Sequence, residues 1–217
     1  MEKYNKIYSS FNVSEEVKSS QILSLVWKNF PPDSNILDLG CGQGGDSLFL
    51  AKNKFLVTAI DSSEVAVKQI KIKKDEFKLD NLELVCGDIR NFDIEEDKYQ
   101  VIICRNVLNF LNKDEVLKML HSLQDNIQKG GYIIIEVFTK NDPSFISENK
   151  FSSYFDEQEL LNYFSGYKII YYLENIILDS GHPGFTVSHK HGVARIIVQK
   201  YFQDNLVKSV KKFDLIN

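Results

Sequence analysis

"DLGCGQGGD", residues 38–46, joins an apolar run that reads as a strand to a segment of helical period. Its glycines satisfy two spacings at once. Gly40, Gly42 and Gly45 fit G-x-G-x-x-G, the turn that cradles a dinucleotide pyrophosphate, while Gly40, Gly42 and Gly44 fit a tighter G-x-G-x-G. In either case glycine lets the backbone approach a ligand, and the N-terminus of the following helix adds partial positive charge. The flanking acids separate the two readings. Asp38 lies two residues before Gly40 and Asp46 opens the helix. A pyrophosphate would meet these carboxylates at a few ångströms, where like charges cost on the order of 1 kcal/mol or more even with partial screening by solvent. A cationic ligand gains instead.

Outward from this loop, strand-like runs alternate with helix-period segments from about 35 to 140, the signature of repeated βαβ units. "NILDLG" (35–40) is the first strand and "GDSLFLAKN" (45–53) the first helix of this core. "FLVTAID" (55–61) follows as strand two, with Ser62 or Ser63 capping the helix "EVAVKQIKIKKDEFK". "LELVCGD" (82–88) and "YQVIICRN" (99–106) are strands three and four. The amphipathic helix "KDEVLKMLHSLQDNIQ" (113–128) stops at Gly130-Gly131, and "YIIIEVFT" (132–139) is strand five. Beyond residue 140 come a loop, a short helix "DEQELLNYF", and the runs "YKIIYYLENIIL" (167–178) and "VARIIVQKY" (193–201). The turn-rich link between those two runs has no helical pattern, so they pair as an antiparallel hairpin.

The expected fold class is therefore α/β, a Rossmann-like doubly wound sheet of five parallel strands plus a C-terminal antiparallel hairpin. A Rossmann-type dehydrogenase would instead continue with a sixth parallel strand. Residues 1–217 read as one domain, with an N-terminal helical cap (1–30), a ligand-binding core (31–140), a substrate-side loop, helix and hairpin (141–201) and a tail (202–217). Within the cap, "SEEVKSSQILSLVWKNF" (14–30) reads as an amphipathic helix, and the aromatic "YNKIYSSF" before it is placed to fold over the ligand.

The formal charge of −4 is spread along the chain with no basic arm, which argues against nucleic acid as a partner and for a small molecule. Neither a signal-peptide apolar region nor a run of roughly 20 apolar residues is visible, so a soluble cytoplasmic protein with no membrane partner is expected. The oligomeric expectation is a monomer or homodimer. Three cysteines, Cys41, Cys86 and Cys104, an odd number without C-x-x-C spacing, argue against a disulfide framework or structural zinc and read as small buried hydrophobes at strand ends. Of 26 basic residues only Arg90, Arg105 and Arg195 are arginines, the side chain that grips oxyanions bidentately.

Asp61 ends strand two, 21 positions after Gly40, where a carboxylate accepts ribose hydroxyls. Asp88 ends strand three, placed to accept an adenine amino group while the Ile89 N–H donates to the ring. Acids at the carboxyl ends of three successive strands, with Asp38 and Asp46 about the glycines, suit S-adenosylmethionine, whose sulfonium and ammonium are both cationic. The candidate cofactor-binding set is Asp38, Gly40, Cys41, Gly42, Gly44, Asp46, Asp61, Ser62, Asp88, Ile89 and Arg105. With "ILDLGCGQG", "AID", "GDI" and "VIICRNVLNFL" in these places, the chain from about 35 to 140 resembles the class I S-adenosylmethionine-dependent methyltransferases. "FDEQELLNYFSGYKIIYYLE" and "HKHGVARIIVQK" resemble the tellurite-resistance branch of that family. The resemblance implies methyl transfer to tellurite or related small nucleophiles.

Acceptor should arrive at the carboxyl ends of strands four and five. Arg105 ends strand four, placed to touch the cofactor's carboxylate or an oxyanion, the alternative being a salt bridge to a helix acid. His182, His189 and His191 cluster with Arg195 in the final hairpin, and in an extended segment His189 and His191 point the same way, able to bind an oxyanion or take a proton. Arg105, His189, His191 and Arg195 are the catalytic candidates, with no metal expected because no third ligand of fixed spacing is visible. Tyr154 and Phe155 are candidate pocket walls, and His121 reads as structural. Two other readings stand beside this one: an NAD-dependent oxidoreductase, disfavoured by Asp38, Asp88 and the hairpin, and a module that binds S-adenosylmethionine without catalysis.

Overall fold

In a computed structural model, residues 2–10, 17–147, 150–181 and 186–201 are described. Seven strands form one sheet in the order β3-β2-β1-β4-β5-β7-β6. β1 (Asn35–Leu39), β2 (Leu56–Asp61), β3 (Leu82–Cys86), β4 (Val101–Arg105) and β5 (Tyr132–Phe138) run parallel. β7 (His189–Gln199) lies antiparallel to β5, and β6 (Lys168–Asp179) closes the edge antiparallel to β7. The hairpin thus folds back so that its second strand is the inner one. Burial explains the order: β7 carries Val193, Ala194, Ile196, Ile197 and Val198 into the core, whereas β6 leaves Ile176 and Leu178 in solvent.

The central strands are apolar on both faces because helices cover both. Successive residues alternate between two clusters: Leu37, Leu39, Ile102, Cys104, Ile133 and Ile135 pack on one side, and Ile36, Val101, Ile103, Tyr132 and Ile134 on the other. The covering helices are α1 (Glu2–Ser9), α2 (Gln21–Ser24), α3 (Gly45–Lys52), α4 (Glu64–Phe77), α5 (Lys113–Asn126), α6 (Pro143–Ser147) and α7 (Glu159–Tyr163). Ser63, rather than Ser62, caps α4, its hydroxyl accepting from Ala66 N. Asn112 and Glu115 form a reciprocal capping box at α5. None of the described helices is long and apolar enough to cross a membrane.

Three expectations need correction. The continuous helix over 14–30 is broken: residues 17–20 run without helix, α2 spans one turn, and a 3-10 turn covers Trp27–Asn29. The serines at 19, 20 and 24 compete with helical hydrogen bonds, and the Ser20 N–H is taken by Asp46 Oδ1 at 2.6 Å. β7 begins at His189, four residues before the apolar run suggested, because His189–Gly192 find ladder partners in Ile176–Asp179. Cys86, expected to be buried, is exposed because β3 is an edge strand, while Cys104 is buried and Cys41 half-buried. His182 and the tail beyond Tyr201 lie outside the described residues.

The chain after β4 is tied to β5 by one buried amide. Asn109, in the 3-10 turn Leu108–Phe110, donates to the Phe138 and Ser153 carbonyls at 3.0 and 2.7 Å and accepts from Phe138 N at 2.8 Å. Asn109→Ala removes all three bonds and strands buried backbone groups, so urea denaturation should show a loss of about 3 kcal/mol or more with the slope unchanged.

Candidate cofactor and substrate site

The sheet order reverses between β1 and β4, so the loops leaving these strands diverge and open a crevice at their carboxyl ends. Gly40, Gly42 and Gly44 have φ of 69°, 54° and 75°, a conformation that penalises other residues. At Gly40 space is also decisive, since an added Cβ would fall 2.5 Å from Val107 Cγ2. A cavity of about 340 Å³ results, lined by Lys18, Ser19 and Ser20 on one side and by Asp38, Gly40, Cys41, Gly45, Asp46, Arg105 and Asn106 on the other.

Charge in this cavity is arranged as an alternating row. Asp46 accepts from Ser20 N and from Arg105 Nη1, both at 2.6 Å. Arg105 Nη2 reaches Glu136 Oε1 at 3.5 Å, and Glu136 also accepts from Asn106 Nδ2 at 2.9 Å and from Arg195 Nε. Arg105, Glu136 and Arg195 stand opposite one another in the β4–β5–β7 register. Burial disfavours the charged form of Arg105, but Asp46 and Glu136 outweigh it and hold its pKa above the usual value. Burial likewise pushes Glu136 up, and the two arginines with Asn106 bring it below the ordinary carboxylate range.

Asp38 has no such cation of its own. It is buried, accepts from Ser47 Oγ at 2.5 Å, and is pushed up to about 7 by burial and by the Asp46 charge, against Ser47 and Arg105. The same burial raises the thiols of Cys41 and Cys104, which makes both poor nucleophiles. On the cavity wall, Arg105 Nε and Asn106 Oδ1 are buried with no hydrogen-bond partner among the described residues. Such unsatisfied buried groups, in two residues that line the cavity, are groups whose bonding a ligand there can complete. Asn106 is held there with φ of 52°.

Around the loop, Asp61 accepts from Gly42 N and Ser63 N, each at 2.8 Å, and so fixes the turn; burial nonetheless raises its carboxyl. Ser62 lies just past the end of β2. Asp88 caps the 3-10 turn Ile89–Asn91 and is gripped by Arg90, whose Nε lies 3.0 Å from both carboxylate oxygens; this pairing lowers its pKa. Ile89 is buried beside it. The N-terminal aromatic segment lies over the loop: an added Cβ on Gly42 would meet Tyr8 Oη at 3.1 Å, Asn5 Oδ1 accepts from Ser63 Oγ at 2.6 Å, and Tyr8 O accepts from Gln69 at 2.9 Å.

Arg195, His191 and His189, the other catalytic candidates, share one face of β7, two or four residues apart along the strand. His189 and His191 meet Nε2 to Nε2 at 2.8 Å, and His191 Nδ1 meets Asp142 Oδ2 at 2.8 Å. Phe155 is a fully buried core residue, Tyr154 packs with Phe145 and Phe151, and His121 is exposed on α5. Sequence reasoning passed over Glu136 and Asp142. The first carried a signal, a lone acid inside the apolar run "YIIIEVF"; the second, in an Asp-Pro turn, carried none.

The chain is similar to known proteins over most of its length. The profile of the family described as "Tellurite resistance protein TehB" matches residues 2–180. The "Probable S-adenosyl-L-methionine-dependent methyltransferase TehB" of Haemophilus influenzae (strain 10810) is 32% identical over 143 residues, 65% of this chain and 48% of that protein. A "Probable cobalt-precorrin-6B C(15)-methyltransferase (decarboxylating)" of Methanococcus maripaludis (strain C6 / ATCC BAA-1332) is 32% identical over 111 residues, 49% of this chain and 60% of that protein. The crystal structure of TehB from Haemophilus influenzae superposes with a TM-score of 0.74 at 25% identity, covering 91% of this chain and 67% of that one. The fold is that of the class I methyltransferases. The chain spans about half the length of the curated TehB relative it matches.

The raised Asp38 carboxyl has a thermodynamic consequence. A folded pKa of about 7 against 3.8 means the native state binds more protons between these values, so Asp38's contribution to stability is full below the lower value and is lost as pH rises through the upper. A cation beside Asp38 favours the ionised form and drives that proton off. Calorimetry of S-adenosylmethionine binding near pH 6, in buffers of different ionisation enthalpy, should therefore show release approaching about one proton and an affinity that climbs toward pH 8. Asp38→Asn should bind more weakly and lose both effects.

Proposed function

This chain belongs to the tellurite-resistance TehB family, and from that premise we propose that it is an S-adenosylmethionine-dependent methyltransferase whose acceptor is a small nucleophile, tellurite or a related chalcogen oxyanion. In this reading it works in the cytoplasm as a monomer or homodimer, without nucleic acid or membrane. The observation that carries the proposal is the open pair at the end of β4, Arg105 Nε and Asn106 Oδ1, on the wall of an acid-lined glycine-loop cavity. One donor and one acceptor match the carboxylate and ammonium of a zwitterionic amino-acid end, and Asp38 supplies the counter-charge for a cationic ligand. Asp61 and the positive-φ glycines shape the loop about the rest of the molecule.

When bound, the cofactor supplies a methyl group already made electrophilic by a cationic sulfur. The protein's work is then placement and exclusion of water. Good orientation alone corresponds to roughly 7–11 kcal/mol of barrier. Asp46, itself fixed by Ser20 N, and Glu136 hold Arg105 in one rotamer, so the cofactor end is located before the acceptor arrives. Residues 5–8 lie over the glycine loop and shield it from solvent. Arg195, oriented by Glu136, presents its remaining donors along the face of β7 toward an anionic acceptor, and a chalcogen lone pair needs no general base.

S-adenosylhomocysteine release, measured with and without tellurite or selenite and with mass spectrometry of the headspace, tests the assignment. Acceptor-dependent release with a volatile methylated product is the expected result. Cofactor binding without release for either oxyanion would remove the chalcogen assignment, and absence of release with any thiol, amine or acid would favour the binding-only module. Arg105→Ala should weaken cofactor binding by about tenfold or more, since it also takes from the buried Asp46 its cation, whereas Arg195→Ala should raise KM for the oxyanion by about tenfold with cofactor Kd little changed.

A further inference from the structure

Three short contacts define the histidine cluster at the mouth of β7. His191 Nδ1 faces Asp142 Oδ2 at 2.8 Å, His189 Nδ1 faces the Val187 carbonyl at 2.8 Å, and the two Nε2 atoms face each other at 2.8 Å. The outer partners are both oxygen acceptors, so each Nδ1 must carry a proton. The central contact needs one more, shared between the rings. Three protons on two imidazoles is one more than two neutral rings hold. A neutral pair would leave one contact lone pair against lone pair, and a doubly charged pair would set two N–H groups head to head.

We propose that Asp142 is a positioning residue whose carboxylate holds His191 and His189 as a pair sharing one positive charge, and that this ion triad clasps the segment 139–147 onto β7. Asp142 receives four donors: His191 Nδ1 at 2.8 Å, Gly192 N at 3.1 Å, Ser144 N at 2.8 Å and Ser144 Oγ at 2.5 Å. Such a set belongs to an ionised carboxylate. Burial would raise it, but the donors from His191 and Ser144 hold it below the usual range. Among the described residues, titratable or charged groups around the pair include Tyr154, bonded to Ser144 at 2.8 Å, Asp179, opposite His189 in the β6–β7 ladder, and Lys190, between the two histidines in sequence. The clasp closes on bare backbone: a Cβ on Gly192 would lie 2.3 Å from Asp142 N, and Gly192 O accepts from Thr139 N at 2.9 Å. Phe138 lies against the His191 ring, with centroids 4.7 Å apart. The clasp therefore fixes the chain that leaves β5 against the first residues of β7.

The test is made on the full chain labelled with 15N-histidine, treated with chelator and free of cofactor and acceptor, so its failure and the failure of the methyl-transfer reading are distinguishable. Long-range 1H–15N correlation at neutral pH should show both Nδ1 atoms protonated and both Nε2 atoms at shifts intermediate between protonated and bare nitrogen. Asp142→Asn should abolish that pattern and speed amide exchange across 143–147 by about tenfold, and Asp142→Glu should restore most of both. Two ordinary neutral tautomers in the unmodified protein would overturn the proposal, and so would a shared-proton signature that persists in Asp142→Asn. An Nε2 signature that appears only with added zinc would overturn it in favour of a metal pair. The spectrum of the unmodified protein decides the matter even where a variant does not fold.

Discussion

Arg105 is a cation sunk between two buried carboxylates, Asp46 on α3 and Glu136 on β5, and the architecture of the site depends on that arrangement. A buried charge is tolerated only when paired and hydrogen-bonded, so each member of the row Asp46–Arg105–Glu136–Arg195 requires the next. The row fastens the glycine-loop helix to β4, β4 to β5, and β5 to the returning strand β7. Its charges sum to zero. That balance leaves Asp38 as the odd acid of the cavity, its carboxyl raised by burial and by Asp46 beyond what the Ser47 hydroxyl and Arg105 offset, which is why a cation is the ligand the cavity suits.

Two covers complete the crevice, and they are built differently. On the cofactor side the short helix α1 rests on the glycine loop and α4 through Tyr8, Asn5 and Gln69, contacts between neutral polar groups. Such contacts are each worth about 1 kcal/mol and separate readily. Beyond β5 the packing is aromatic, from Phe138, Phe145, Phe151 and Tyr154, and is pinned at Asp142 by side-chain and backbone bonds.

Much of the fold was legible because its signals are local. Period-two and period-3.6 patterning located the five parallel strands and the long helices α4 and α5, Gly130-Gly131 ended α5's segment, and the short link before the final run announced a hairpin. The resemblance to the tellurite-resistance methyltransferases, carried by the same motifs, agrees with the family profile. Where the pattern failed, a distant partner had intervened. Residues 17–20 leave the helix expected there as Asp46, 26 positions away, takes the Ser20 N–H. The Asp88–Arg90 pairing is local by contrast, two residues apart, and periodicity does not weigh it.

By itself the sequence determined the α/β class, the glycine loop with its flanking acids, and the strand ends at which Asp38, Asp61 and Arg105 fall, because backbone conformation and side-chain alternation are properties of a few consecutive residues. Only the tertiary structure decided which charges meet. Asp46 and Arg105 are 59 residues apart, Glu136 and Arg195 another 59, and Asp142 and His191 are 49 apart. Their pairing follows from strand order and register, and a shift of one residue in β7 would turn His189, His191 and Arg195 to the opposite face.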